Sequence, residues 1–196
     1  KYIKSLLDNG TIGEITSIRK RHGIGWAANG LSDQRLSWII KKELAGGGAF
    51  IDEGIHAADF LIWMLGEPVS IQAFIPESKN GFEVEEEGVA IIRFKNNVFA
   101  TMQSSWTFAA ATNTTEIYGR EGTIIQQFND CASTQVNGES NFSVQIYSNK
   151  SEMAGWQYPR VPSVFKNIHA EVAKTFINCL LTGDEFPSGI QEGKAA

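Results

Sequence analysis

Two cysteines in the whole chain, Cys131 and Cys179, lie far apart and form no CxxC pair. Their scarcity excludes a disulfide-stapled scaffold and fits free thiols in a reducing compartment, so a cytoplasmic protein is expected. Long apolar runs are missing too. The longest, Phe60 to Leu65, is far too short to span a bilayer, and no basic-then-apolar leader opens the chain. Nor is there an excess of one charge: 17 basic against 22 acidic residues give a net charge of −5, which speaks against a nucleic-acid or anionic-membrane partner. No internal repeat or low-complexity tract is found. With 42% apolar and 20% charged residues, the composition is that of an ordinary soluble globular protein. An initiating Met is also lacking, and both ends look cut, as though residues 1–196 were a single domain of a longer protein. Asn-x-Ser/Thr triplets at Asn9, Asn113 and Asn141 carry no meaning without a secretory route.

What is present centres on Gly46 to Leu65, closed by Gly66 and Pro68. Gly just past the last apolar residue and Pro two further on stop a helix, while the Gly triplet offers a start without a capping side chain. One helix of about five turns is expected from near Gly48 to Leu65. Ile51, Ile55, Ala58, Ile62 and Leu65 share one face, and Ala57, Phe60, Leu61 and Met64 cover the side across from the charges. A rod so apolar should be buried. The exception is a stripe of Asp52, His56 and Asp59 within roughly 60° of arc. Two carboxylates and an imidazole are expensive to bury unless they pair or line a wet cavity. Three readings follow: the stripe faces a reaction site; Asp52 complements the helix N-terminus and His56 is a satisfied core histidine bonded to it; or the three residues bind a metal, although His22 and His169 are the only further histidines.

The rest of the chain supplies a sheet. Residues 1–9 finish a helix at Asn9-Gly10. Ile12 to Trp26 alternate as a strand with at least one wet face, which fits an antiparallel or mixed sheet. Gly23-Ile24-Gly25-Trp26-Ala27-Ala28 matches the spacing of a dinucleotide fingerprint, but the preceding strand is cationic and Asn29 to Asp33 breaks the helix that should follow. The Gly46 to Gly48 triplet lacks the lysine and hydroxyl of a phosphate loop, so close backbone packing or flexible entry to the helix is its expected use. Further strands are expected at Val69–Phe74, Gly88–Phe94, Val98–Trp106, Thr114–Tyr118, Thr123–Phe128, Thr134–Val136 and Phe142–Tyr147. Phe99, Trp106 and Phe108 suggest an apolar face awaiting an associate. Ser148 to Ser163 reads as a loop. Val164 to Leu181 has the spacing of a core helix packed on the sheet, with His169 structural or at the surface.

Trp38, Ala45-Gly46-Gly47-Gly48, Asp52, Gly54, His56, Asp59, Trp63, Gly66 and Pro68-Val69 together resemble the signature of the glucose-fructose oxidoreductase, inositol dehydrogenase and MocA family. Glu116 to Gly122 and Thr182 to Gly189 resemble later family segments. The resemblance covers nearly the whole chain but only the second half of the family architecture. It implies an α+β (α/β) substrate domain, an open, mostly antiparallel mixed sheet of about 6–8 strands with helices on one face, with the Rossmann domain absent. It also implies NAD or NADP as cofactor, bound mainly by the missing domain. A small-molecule sugar, cyclitol or polyol would be the substrate, and a homo-oligomer, dimer or tetramer, would form through the sheet face. His56 matches the family's acid/base and Asp52 the carboxylate that orients it or binds substrate. Arg21, Trp26, Arg35 and Trp38 fall in segments that would contact substrate. A lysine in an upstream Glu-Lys-Pro segment, the third catalytic residue of the family, would precede Lys1, and no metal is implied. Asp59 has no catalytic counterpart, and a buried structural hydrogen bond is expected of it. The alternatives are a non-catalytic family-like binder and a metal-dependent hydrolase or lyase.

Overall fold

The computed structural model describes residues 2–27, 34–109, 112–128, 142–150, 154–160 and 168–195. Helix α1 (Tyr2–Asp8) ends at Gly10, whose φ of 66° closes the turn into strand β1 (Ile15–Gly23). Short helices α2 (Lys42–Ala45) and α3 (Ala49–Asp52) lead into α4 (Gly54–Leu65), the longest element before the sheet resumes. Strands β2 (Pro68–Phe74), β3 (Glu87–Phe94), β4 (Phe99–Ser105), β5 (Thr112–Gly119), β6 (Gly122–Phe128), β7 (Phe142–Ser148) and β8 (Gly155–Gln157) follow, then α5 (Ile168–Thr182) and α6 (Ile190–Ala195). The strands form one sheet in the order β2-β3-β4-β1-β5-β6-β7-β8. β1 lies parallel to β4 and every other pair is antiparallel, so the expected open mixed sheet is what the chain builds. The hairpins are those read from the turn residues; at the first, Asn97 takes a φ of 61°, which Asn tolerates. β8 forms within the stretch expected to be loop. The expected strand at Thr134–Val136 lies outside the described residues, as do Cys131 and the breaker Asn29 to Asp33.

Register across the sheet decides where the core ends and chemistry begins. On the face covered by α4, one row runs Ile92, Ala100, Ile18, Ile117, Ile124, Ile146, all buried. The next row is Ala90, Met102, Lys20, Thr115, and the one beyond it is Gly88, Ser104, His22, Asn113. Within a few residues the face passes from Ile to polar side chains. α4 rests on β1 and β4, burying Ala57, Leu61 and Leu65 at four-residue spacing. Its outer side is open: Ile55 and Trp63 are exposed, as is Ile51 on α3. The expectation of a rod buried all round is therefore corrected, because a helix lying on a single sheet buries only one stripe.

The expected single helix is also two pieces, interrupted at Glu53. The start is held from a distance. Glu85 accepts hydrogen bonds from the N–H groups of Gly48 and Phe50 at 2.9 and 3.1 Å, and its own carbonyl accepts from Ala49 at 2.9 Å, satisfying donors that a helix leaves orphaned. A Cβ at Gly48 would lie 1.9 Å from the Glu85 carbonyl oxygen, which is the close packing expected of the triplet. Gly25 is used in the same way, since a Cβ there would sit 2.1 Å from the Phe108 carbonyl oxygen. The glycines of the fingerprint-like segment therefore let the chain cross residues 105–109 rather than cradle phosphate.

Two further expectations are corrected. Trp106 is fully buried, not part of an outer patch, whereas Phe99 is half exposed. α5 does not pack on the sheet as a core helix; Val172, Phe176, Ile177, Leu180 and Leu181 are all exposed. Helical spacing marks an apolar stripe without saying what covers it. Gly48→Ala forces the α3 start off Glu85 and should cost at least about 2 kcal/mol, read as a lower denaturant midpoint with an unchanged slope.

Candidate active site

The polar end of the sheet face lies beneath the start of α4. Glu53, at the break between α3 and α4, is buried, and its carboxylate meets Nε2 of His22 at 3.0 Å. The two residues come from elements far apart in sequence, and both side chains are almost wholly removed from water. A buried carboxylate needs such a partner, since leaving one unpaired costs several kcal/mol. The imidazole of His56, one helical position short of a turn beyond Glu53, lies over the His22 ring with centroids 5.2 Å apart and planes tilted by 42°. His56 itself is exposed. The result is a buried imidazole–carboxylate pair backing an accessible imidazole.

Asp52 sits on the other side of the same turn. Its Oδ2 accepts a hydrogen bond from Trp106 Nε1 at 2.8 Å, and among the described residues this is its hydrogen-bond partner, not His56. Burial raises the Asp52 pKa from its ordinary value; the Trp106 bond and the nearby His56 and His22 pull the other way, and Glu53 adds to the rise. Trp106 in turn packs against Trp26, with centroids 4.7 Å apart, and Trp26 lies parallel to Phe82 at 6.5 Å. An aromatic wall thus flanks the carboxylate, with Trp26, partly exposed, between Trp106 and Phe82.

The remaining sequence-derived residues divide. Arg21 alternates with His22 along β1 and lies on the opposite face of the sheet, its guanidinium 5.0 Å from the Phe108 ring. The structure does not bring it to the cluster. Arg35 and Trp38 are exposed on the segment ahead of α2. Asp59 is exposed and its carboxylate makes no hydrogen bond among the described residues, which corrects the expected buried bond; the break at Glu53 puts Asp52 and Asp59 on separate helices, so their seven-residue spacing no longer fixes them on one face. Among the described residues no group of three His, Cys, Asp or Glu side chains is arranged to hold a metal ion. His169 belongs to α5.

Sequence reasoning missed Glu53, His22 and Trp106 as site residues. A strand alternation that puts Ile18, Lys20 and His22 on one face was the available signal for His22; nothing local marks Glu53 or Trp106, because Glu53 acquires its role from His22, on β1, and Trp106 from Asp52, 54 residues earlier.

Residues 1–125 match the family model described as the GFO/IDH/MocA C-terminal domain. The chain belongs to the GFO/IDH/MocA family. It is similar to levoglucosan dehydrogenase of Pseudarthrobacter phenanthrenivorans, 28% identical over 147 residues covering 62% of this chain and 37% of that protein. It is similar also to 1,5-anhydro-D-fructose reductase of Ensifer adhaerens, 28% identical over 125 residues covering 63% and 36%. Among solved structures, a levoglucosan dehydrogenase in complex with NADH and levoglucosan superposes with a TM-score of 0.75 at 21% identity, covering 97% of this chain and 55% of the other. That likeness shows the GFO/IDH/MocA fold. This chain spans little more than a third of the curated relatives it matches and about half of the solved chain.

Trp106→Phe keeps most of the packing but removes the donor to Asp52. A buried acceptor left unsatisfied costs about 1–3 kcal/mol, so the thermal midpoint should fall by several degrees, and the Asp52 carboxyl, losing a bond that favours its charged form, should titrate higher still in an NMR pH series.

Proposed function

We propose that this domain is the substrate-binding half of an NAD(P)-dependent oxidoreductase that oxidises a secondary alcohol of a sugar, cyclitol or related polyol, with His56 as the acid/base. The observation that carries the reading is the exposed imidazole of His56 standing on the buried His22–Glu53 pair. Removing hydride from a carbinol carbon leaves a proton on the oxygen, and the base that takes it must be reachable by substrate and held in place. His56 is exposed, and it rests against the buried His22 ring. Family membership and the names of the two curated relatives support the substrate class.

Gly23 and Gly25 are closed over by the backbone of residues 105–109, so the fingerprint-like segment is given no part in holding a dinucleotide. The cofactor is assigned to the remainder of the full-length protein, where the nicotinamide supplies the hydride acceptor. This chain's part is to bind the polyol, orient one hydroxyl and take its proton. Asp52 lies within the field of His56, so its negative charge stabilises the imidazolium formed as the proton arrives. Trp26, the partly exposed middle member of the aromatic wall, would offer an apolar edge to the C–H side of a sugar ring. Arg35 and Trp38 would approach from the rim. Arg21, across the sheet, is given no contact with the substrate.

A homo-oligomer through the sheet is part of the same reading. The face away from α4 exposes Val89, Ile91, Phe99, Tyr118 and Tyr147, an apolar surface larger than a solitary domain leaves in water. No helix among the described residues is long and apolar enough to cross a membrane, and the scarcity of cysteine supports a cytoplasmic setting.

Two outcomes check this. In the full-length protein, His56→Ala should lower kcat for NAD(P)-linked oxidation of levoglucosan or a related polyol by roughly 10² to 10⁴ while leaving cofactor affinity nearly unchanged; an unaltered kcat removes His56 from its role. Ile91→Asp should shift the sedimentation profile toward the single protomer, and an unchanged oligomer would move the interface elsewhere.

A further inference from the structure

Lys20 is a cation in the wrong place for ordinary stability. It is 5% exposed, lies one row from His22 on the α4 face, and has only neutral partners. Its ammonium donates to Asn113 Oδ1 and to Thr115 Oγ1, the latter at 3.0 Å, and stands 5.0 Å from the centroid of the Phe60 ring. No carboxylate pairs with it among the described residues. Burying an ammonium against neutral oxygens is costly, and a methionine of similar reach would fill the space at less cost. The charge is therefore placed for something other than packing.

Its three partners show what that is. Asn113 and Thr115 belong to β5, whereas α4 rests on β1 and β4. Phe60 is one turn beyond His56 on α4, and Asn113 is the cross-strand partner of His22. Lys20 therefore ties β5, through β1, to the helix that presents the imidazole. We propose that Lys20 is a positioning residue for proton transfer: held by Asn113 and Thr115, it grips the Phe60 ring and so fixes the height and tilt of His56 above His22. The proposal rests on the reading of His56 as acid/base. Burial alone acts on its charge: α4 brings Phe60 to it, β4 brings Met102, and β5 brings Asn113 and Thr115, with His22 two residues along its own strand.

Burial lowers the Lys20 pKa to about 8. The grip, which needs the charge, is complete below that pH and released above it. The folded pKa is thus depressed below the unfolded value of about 10.4. Between the two the unfolded chain binds more protons, so stability rises with pH across this window even as the ammonium lets go of the ring.

The test uses full-length protein, wild type beside Lys20→Met, Lys20→Arg, Asn113→Ala and His56→Ala, with kcat and KM for a polyol and NAD(P) measured from about pH 6 to 10. Lys20→Met is expected to lower kcat about tenfold near neutrality, the scale on which supporting residues act, with cofactor KM changed less than about twofold, and to abolish the fall in wild-type kcat centred near pH 8. Lys20→Arg, which keeps the charge, should recover most of kcat and move that fall beyond the measured range. Asn113→Ala keeps the lysine but removes an acceptor, so the fall should begin at lower pH; this variant decides the matter if Lys20→Met does not fold. Melting curves give a reading independent of turnover: wild type should gain on Lys20→Met as pH rises from about 8 to 10. Wild-type kcat in Lys20→Met, or an alkaline fall that persists in it, overturns the proposal. If instead His56→Ala leaves kcat unaltered, the acid/base reading itself fails, whatever Lys20→Met does.

Discussion

The site depends on the contact between Glu53 and His22. A helix can be laid on a sheet by Ala57, Leu61 and Leu65 alone, but those residues leave it free to slide and roll by the width of a side chain. A buried carboxylate does not tolerate that freedom, because a charge removed from water depends on the groups paired with it. Its 3.0 Å contact with His22 fixes where α4 begins, and with it the place of His56. The break between α3 and α4 follows: the backbone yields at Glu53 so that its side chain reaches down, while Asp52, one residue earlier, turns to Trp106.

Around that contact the chain spends polar groups where an ordinary core would hold hydrocarbon. Glu85 closes the start of α3. Glu86 is buried, which works to raise its pKa, yet hydrogen bonds from Ser78 and Asn80 hold it below the ordinary carboxylate value. Its carbonyl accepts from Trp106 N–H at 2.8 Å, and Asn80 donates to the Ala27 carbonyl at 3.0 Å. The loop between β2 and β3 is thus joined to the helix start, to the segment after β1 and to the tryptophan that holds Asp52. If His56 is the proposed acid/base, these bonds are what would hold it within hydrogen-bond reach of a substrate. The acidic stretch from Glu83 to Glu87 supplies much of this bonding.

The apolar row from Ile92 to Ile146 and the polar row at His22 explain how one sheet serves both stability and chemistry. Strand alternation puts every second residue on the α4 face, so stepping from Ile18 to Lys20 to His22 moves from core to site within a single strand. The opposite face of that strand carries Arg19 and Arg21, which removes Arg21 from the His56 cluster. Parity along a strand separates residues two positions apart from residues one position apart more firmly than any distance in sequence.

Much of the fold was legible in the sequence. Hairpin turns at Lys95–Asn97 and Arg120–Glu121, the helix stop at Gly66 and the mixed sheet follow from local conformational preferences and hydrophobic periodicity, which act over a few residues. Which carboxylate was buried, what α4 left open, that Trp106 turned inward and that α5 kept its apolar stripe outside were settled by tertiary structure. Each is a question of partner rather than of pattern: periodicity says that a face must be covered or a charge compensated, and only packing brings Glu53 to His22, Asp52 to Trp106 and Lys20 to Phe60.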